Sequence, residues 1–381
     1  MRKIAILGLL AAAILAPRAA HAYPQWQFSS GTSRCNQCHF SPAGTGLITN
    51  YGRDAVGEDL SSFQGNGGFA FGLDLPSWLA LGVDGRYAYV QHDAGNPDGP
   101  LKAAFPMQAD AFLRVAFAEA FSLSVTAGYR GQARSSPGGL GTDNYYPASA
   151  DRFISREHYL MWRSGALGPY VRAGRFFAPY GLRLAEHNTY VRRDNGFGLL
   201  NETYGLSGGI VQNDYELHVT AFIPDVLRSF GGQEKGAAAM FEYRLKDAYA
   251  LGVDVKFGLG DNSAKRIGGG IFAKSYFAPV KTILMGQVDL VNVTGGSGSA
   301  SNQLIAYFGP TILPVRGLWL GAFAEVNQTD IKVKGTATTA VNGQLNWFPY
   351  PHLELVIQAR MQSPQQEEAA KTLMAQLHLF L

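Results

Sequence analysis

Over most of this chain, apolar and polar residues alternate strictly in segments of about ten residues. From Phe121 to Arg130 every odd-numbered residue is apolar and every even-numbered one is small or polar. The rule holds again from Tyr249 to Leu259, where Ala250, Gly252, Asp254, Lys256 and Gly258 take the even positions. It holds a third time from Leu353 to Met361, where Glu354, Val356, Gln358 and Arg360 take the even positions and Val356 is the one apolar exception. Successive Cβ atoms of a strand point to opposite faces, so each segment shows an apolar face and a polar one. A half-buried strand of a soluble sandwich alternates in the same way. The number of segments, their length and the asymmetry of their connections point instead to a membrane barrel with a polar lumen.

The connections predict the count. Short ones fall at Ala118-Glu119-Ala120, 165–168, 212–214, Lys246-Asp247, Ala278-Pro279, 313–316 and 349–351. Long ones fall near 92–104, 133–154, 178–203, 224–234, 292–302, 328–336 and 362–371. Short periplasmic turns with long extracellular loops are the outer-membrane pattern. The last strand alternates from Lys371 to the final Leu381, although such barrels usually end on an aromatic residue and here Phe380 is penultimate. Counting back from a periplasmic end predicts an all-β, antiparallel barrel of about sixteen strands beginning near Leu79. The segment from Gly67 to Leu75 would break parity as a wall strand and is read as a lead-in.

Composition supports this class. Charged residues make up 16% of the chain, against roughly a quarter in soluble proteins, while 46% are apolar and 46 residues are glycine. No uninterrupted apolar stretch near twenty residues follows the N-terminal region, which argues against a helical membrane protein. Met1-Arg2-Lys3, the apolar run from Ile4 to Ala16 and Ala20-His21-Ala22 read as a signal peptide over 1–22, cleaved before Tyr23. Arg2, Lys3 and Arg18 account for the formal charge of +3, so the mature chain is neutral and calls for no nucleic-acid partner.

Both cysteines fall in one pentapeptide, Cys35-Asn36-Gln37-Cys38-His39. Two thiols with this spacing, followed by a histidine, form the attachment motif of a c-type haem, with thioethers at Cys35 and Cys38 and His39 as axial ligand to the iron. A redox disulfide of the thioredoxin kind would need a βαβ context, and a zinc site would need two further ligands close by. Neither is visible. Residues 23–66 form this haem segment, about 44 residues, too few to bury a core unaided. The run Gly65-Asn66-Gly67-Gly68 is too short for a long tether. The segment is therefore expected to plug the mouth or lumen of the barrel, residues 67–381.

This layout resembles the fused outer-membrane cytochrome-porins, whose best-known members oxidise ferrous iron outside the cell. Residue-level similarity lies in Cys35 to Pro42, in Gly46-Leu47 and in Tyr51-Gly52-Arg53. The family's basic, aromatic continuation is replaced by the acidic run Asp54 to Asp59, a departure that bears on the electron donor. Arg175 to Gly181 is also similar to wall strands of substrate-specific porins. The resemblance implies an outer-membrane protein carrying electrons from an extracellular donor, Fe(II) in the family's best-known case, through one covalent haem c to a periplasmic c-type cytochrome. Whether it acts as an Fe(II) oxidase is left open. Two other readings stand beside it, a diffusion porin with a haem-bearing plug and a barrel that docks a periplasmic multihaem cytochrome.

The sixth haem ligand is not readable from spacing. Met107 is the first methionine after Met1, and His39 the first histidine after the signal peptide, so the ligand has to come from the barrel or its loops. Parity puts His218, Met240, Met285, Met374 and His378 on lumen faces, along with charges of both signs such as Asp84, Arg86, Asp110, Arg114, Arg130, Asp254, Lys256 and Arg360. The loop after Tyr180 carries Glu186, His187, Arg192, Arg193, Asp194 and Glu202, and the loop before it Asp143 and Asp151. These could receive Fe(II) briefly through hard oxygen ligands, or they are solvated charge at the rim.

Overall fold

The structure, a computed structural model, describes residues 24–71, 73–95, 97, 99–129, 153–186, 188–197, 201–224, 234–260, 264–295 and 300–381. The signal peptide, Arg130, Asp143, Asp151 and His187 lie outside the described residues.

Among the described residues sixteen antiparallel strands pair with their sequence neighbours, and the last pairs with the first, closing one barrel. They are β1 (Leu79–Asp93), β2 (Leu101–Ala116), β3 (Phe121–Tyr129), β4 (Phe153–Arg163), β5 (Gly168–Phe176), β6 (Thr203–Val211), β7 (Tyr215–Ile223) and β8 (Glu234–Leu245). The second half comprises β9 (Tyr249–Gly260), β10 (Lys265–Phe277), β11 (Thr282–Thr294), β12 (Ala300–Val315), β13 (Leu318–Gln328), β14 (Ala337–Trp347), β15 (Leu353–Pro364) and β16 (Ala370–Phe380). The wall begins at Leu79 as the alternation predicts, and the lead-in contains a 3-10 turn, Phe69–Phe71, in place of a strand.

The barrel is built inside out. Along β9 the odd positions Leu251, Val253, Val255 and Phe257 are exposed while the intervening Ala250, Gly252, Asp254 and Lys256 are buried. Charged side chains thus line the inside and an apolar belt faces outward, an arrangement that dissolves only in a bilayer. Closure leaves no unpaired edge in lipid. No described helix is long and apolar enough to cross a membrane. The protein is an outer-membrane-type β-barrel, and the short turns mark its periplasmic end.

Three expectations about the connections need correction. An eighth outer connection, between Gly260 and Lys265, is too short to stand out by length. Strand β12 continues through Leu313-Pro314-Val315 with a register shift between Ile312 and Val315, so its turn falls at Arg316-Gly317. The loop between β5 and β6 does not stand at the rim. It folds into the lumen, where Leu182, Leu184, Tyr190 and Val191 bury themselves against Met240, Phe272, Met285, Ile305 and Tyr307 of the wall.

Residues 24–66 fill the lumen from the opposite end. Helix α1 (Cys35–Cys38) and helix α2 (Asn50–Ala55) are joined by Thr49, whose hydroxyl donates to Gln37 O at 2.7 Å and accepts from Gly52 N at 3.1 Å. A π-helical turn, Val56–Leu60, follows. Trp26, Val56 and Leu60 pack on Trp319 and Phe348 of the wall, with the Trp26 and Trp319 ring centroids 4.1 Å apart. Arg53, 1% exposed, donates to Leu81 O and lies over the Phe69 ring. Burial pulls the pKa of this guanidinium down to about 10.

Candidate functional site

The Cys35 to His39 segment is set by local backbone chemistry. One helical turn closes with His39 N donating to Cys35 O at 3.0 Å. The chain reverses through Gly44 and Gly46 and returns, with Phe40 N donating to Leu47 O at 3.1 Å and an antiparallel bridge between His39 and Ile48. Gly44 needs its lack of a side chain twice over. Its φ is +82°, and a Cβ there would stand 3.2 Å from Cys35 Cβ and 3.8 Å from the His39 ring.

Cys35 and His39 line one cavity of about 240 Å³, part of it open to solvent, between the plug, the inward loop and strands β1 to β4, β10 and β16. Ile48, Phe112, Phe177, Leu182 and Leu184 contribute apolar walls, and Arg86, Arg156, Arg192, Asp84 and Asp110 contribute charge. Cys38 is not among the lining residues. It is 1% exposed and packs against Gly52 of α2.

A network of ion pairs fixes the seat. Gln27 of the plug donates to Glu242 at 3.1 Å and accepts from Lys274. Glu242 pairs with Arg244 at 2.9 Å and with Lys274 at 2.5 Å. Glu216 takes Arg244 and, at 3.0 Å, Arg183 of the inward loop, which also reaches to 3.5 Å from the Cys35 sulfur. Plug, loop and wall are therefore tied through a single charge cluster. On the other side Asn36 donates to Ala166 O at 2.6 Å and Arg114 covers the Phe40 ring.

These residues are compatible with a c-type haem. Both thiols are free; Cys35 faces the cavity, whereas Cys38, one helical turn on, is buried against Gly52 and would have to turn to reach a haem there. Burial pushes both thiols up, with Arg183 pulling Cys35 partly back, so they stand as protonated thiols. His39 follows directly and faces the same cavity as Cys35.

The parity-assigned lumen residues are where alternation puts them. His218, Met240, Met285 and His378 are buried inside the wall, and Met374 lines a second, smaller cavity. The acidic loop residues do not converge. Glu202 is buried and pairs with Arg156 at 3.2 Å, Glu186 accepts from Gln344 at 2.9 Å, and Asp194 pairs with its neighbour Arg193. No group of three metal-capable side chains forms among the described residues, and Asp143, Asp151 and His187 lie outside them. Reasoning from sequence missed Arg183, whose role depends on the inward fold of its loop and has no local signature.

No protein-family model matches the chain, and no curated protein does. Among solved structures it is similar to Pseudomonas putida OprB, with a TM-score of 0.61 and 8% identity over 80% of this chain and 94% of that one. Outer-membrane expressed OmpT of Vibrio cholerae matches at a TM-score of 0.60 and 6% identity, over 81% of this chain and all of that one. The anion-selective porin of Comamonas acidovorans matches at 0.58 and 10%, over 80% and 100%. At these identities the likeness concerns architecture: the barrel has the fold of outer-membrane porins.

Proposed function

We propose that this chain is an outer-membrane electron conduit whose lumen holds one haem c, tethered by Cys35 and Cys38 and ligated by His39. The observation that carries the reading is the seat of the Cys35 to His39 segment. It lies inside the barrel, on a cavity it shares with the wall, with the inward loop above it and the rest of the plug below. Bound there, the haem supplies one-electron chemistry. The chain's own residues hold it, shield it from lipid and fill the pore around it. An extracellular donor loses one electron and a periplasmic c-type cytochrome gains it, with no atom transferred. Fe(II) is the donor to test first, with the acidic run from Asp54 to Asp59 as the reason to test others.

The experiment is a peroxidase-stained gel of the purified protein and its Cys35→Ala/Cys38→Ala double variant, followed by stopped-flow absorbance of the oxidised protein mixed with Fe(II). Covalent haem in the parent, its loss in the variant and rapid appearance of the reduced α-band support the reading. A variant that keeps its covalent haem refutes the attachment. A haem reducible by dithionite and inert to Fe(II) leaves a conduit for another donor.

The second reading is a diffusion porin, favoured by the fold it shares with proteins such as the anion-selective porin. Against it stands the packing of the plug and inward loop in the lumen. Steady ion conductance of the intact chain in a planar bilayer would decide for it.

A further inference from the structure

We propose that His378 is the second axial ligand of the haem whose attachment is proposed above, on which reading this inference rests. The five histidines and methionines that parity assigns to the lumen separate by surroundings, and Met161 lies apart from them in a cluster with Tyr159 and Phe176. Met240 and Met285 lie in the apolar cluster under the inward loop. His218 is enclosed between the Tyr170 hydroxyl at 2.7 Å and Glu216 at 3.4 Å. Met374 lines the other cavity. Of the five, His378 alone lines the cavity that Cys35 and His39 line.

Continuous contact connects the two histidines along one side of the barrel. His39 pairs with Ile48, and the neighbouring Leu47 rests on Gly82 of β1, where a Cβ would come within 2.6 Å of Leu47 Cδ1. Two residues on, Asp84 stands 3.2 Å from Nε2 of His378, and Val83 pairs with Leu381 beyond the end of β16.

His378 shares one feature with metal-binding imidazoles, a buried carboxylate on one ring nitrogen, while its other nitrogen faces a second carboxylate. Its Nδ1 lies 2.6 Å from Glu354 Oε2, and the other oxygen of that carboxylate accepts from Asn346 at 2.6 Å. A buried carboxylate on one ring nitrogen fixes the ring's orientation and strengthens the other nitrogen as a ligand. That other nitrogen, Nε2, faces Asp84. Ligation would require Nε2 to be unprotonated and to leave Asp84, which would keep a partner of its own in Arg86 at 3.2 Å. Ligation of this kind gives a six-coordinate, low-spin haem suited to electron transfer rather than to binding small molecules.

The test is spin state in the intact, haem-loaded protein, read by absorbance and electron paramagnetic resonance, with covalent haem checked by peroxidase stain. The parent is expected to be low-spin, His378→Ala high-spin with its covalent haem retained, and added imidazole to restore the low-spin spectrum. If His378→Ala does not fold, His378→Met serves. Its expected spectrum is high-spin or methionine-ligated, and a methionine-ligated form shifts the reduction equilibrium at least tenfold toward the reduced state, about 59 mV for one electron. A high-spin parent, or either variant with the parent's unaltered low-spin spectrum, overturns the assignment of His378. A parent with no covalent haem overturns the underlying reading as well.

Discussion

The guanidinium of Arg183 stands 3.5 Å from the sulfur of Cys35. This contact joins the two elements that close the lumen, one entering from each end, and the same guanidinium is anchored to Glu216 of the wall at 3.0 Å. Arg183→Gln is expected to cost ~1–3 kcal/mol, the range for a buried charged group that loses a partner. Glu216 still keeps Arg244, which holds the cost below that of a fully orphaned charge. Thermal unfolding in detergent reads the loss, and ion conductance of the variant should rise as loop and plug separate.

Gly82 is one place where plug and wall touch closely. A Cβ there would come within 2.6 Å of Leu47 Cδ1 and would also collide with the backbone oxygen of Leu381. Gly82→Val is expected to leave a folded barrel, judged by heat-modifiable gel mobility, with an unseated plug, judged by protease cleavage within 24–66 and by conductance. A protected plug in this variant would show that the seat does not depend on that contact.

The aromatic cluster at the periplasmic end gives the plug its apolar anchor. Trp26 is 1% exposed and meets both Trp319 and Phe348, with centroids 4.1 and 5.1 Å away. Trp26→Ala is expected to cost ~3–5 kcal/mol of plug docking, as large aromatic truncations in cores do. Hydrogen exchange should show the loss confined to 24–66, with the strands unaffected.

Glu186 supplies a pH test. Burial raises its pKa, and Gln344 lowers it only in part. A carboxyl whose folded pKa lies above its unfolded value contributes stability that is complete below the unfolded pKa and is lost as pH rises through the folded one. The inward loop should therefore seat most firmly at acidic pH. Glu186→Gln should abolish this dependence, so that the variant's advantage in thermal stability grows from about pH 4 upward. Equal pH profiles would contradict the buried charge.

How much of this was legible in the sequence follows from the range of the interactions. Each wall strand is recorded in its own alternation, because Leu251 and Asp254 face lipid and lumen by parity alone. Parity likewise put His378 inside. It could not tell that His378, and not Met374, shares a cavity with His39, since that depends on how the plug sits. The inward loop escaped notice because Leu182, Leu184 and Tyr190 carry no period, and their burial is decided by residues of the opposite wall such as Met285 and Tyr307. Glu202 read as rim charge for the same reason, although it is buried against Arg156 of β4.

The central claim is that electrons cross this barrel while ions and solutes do not. It is tested most directly in liposomes carrying the haem-loaded protein, with an oxidised soluble cytochrome c enclosed and a membrane-impermeant reductant added outside. The account predicts reduction of the enclosed cytochrome, its abolition in the Cys35→Ala/Cys38→Ala double variant, and retention of a small trapped dye. Dye leakage without cytochrome reduction would contradict the account and make the chain a diffusion pore.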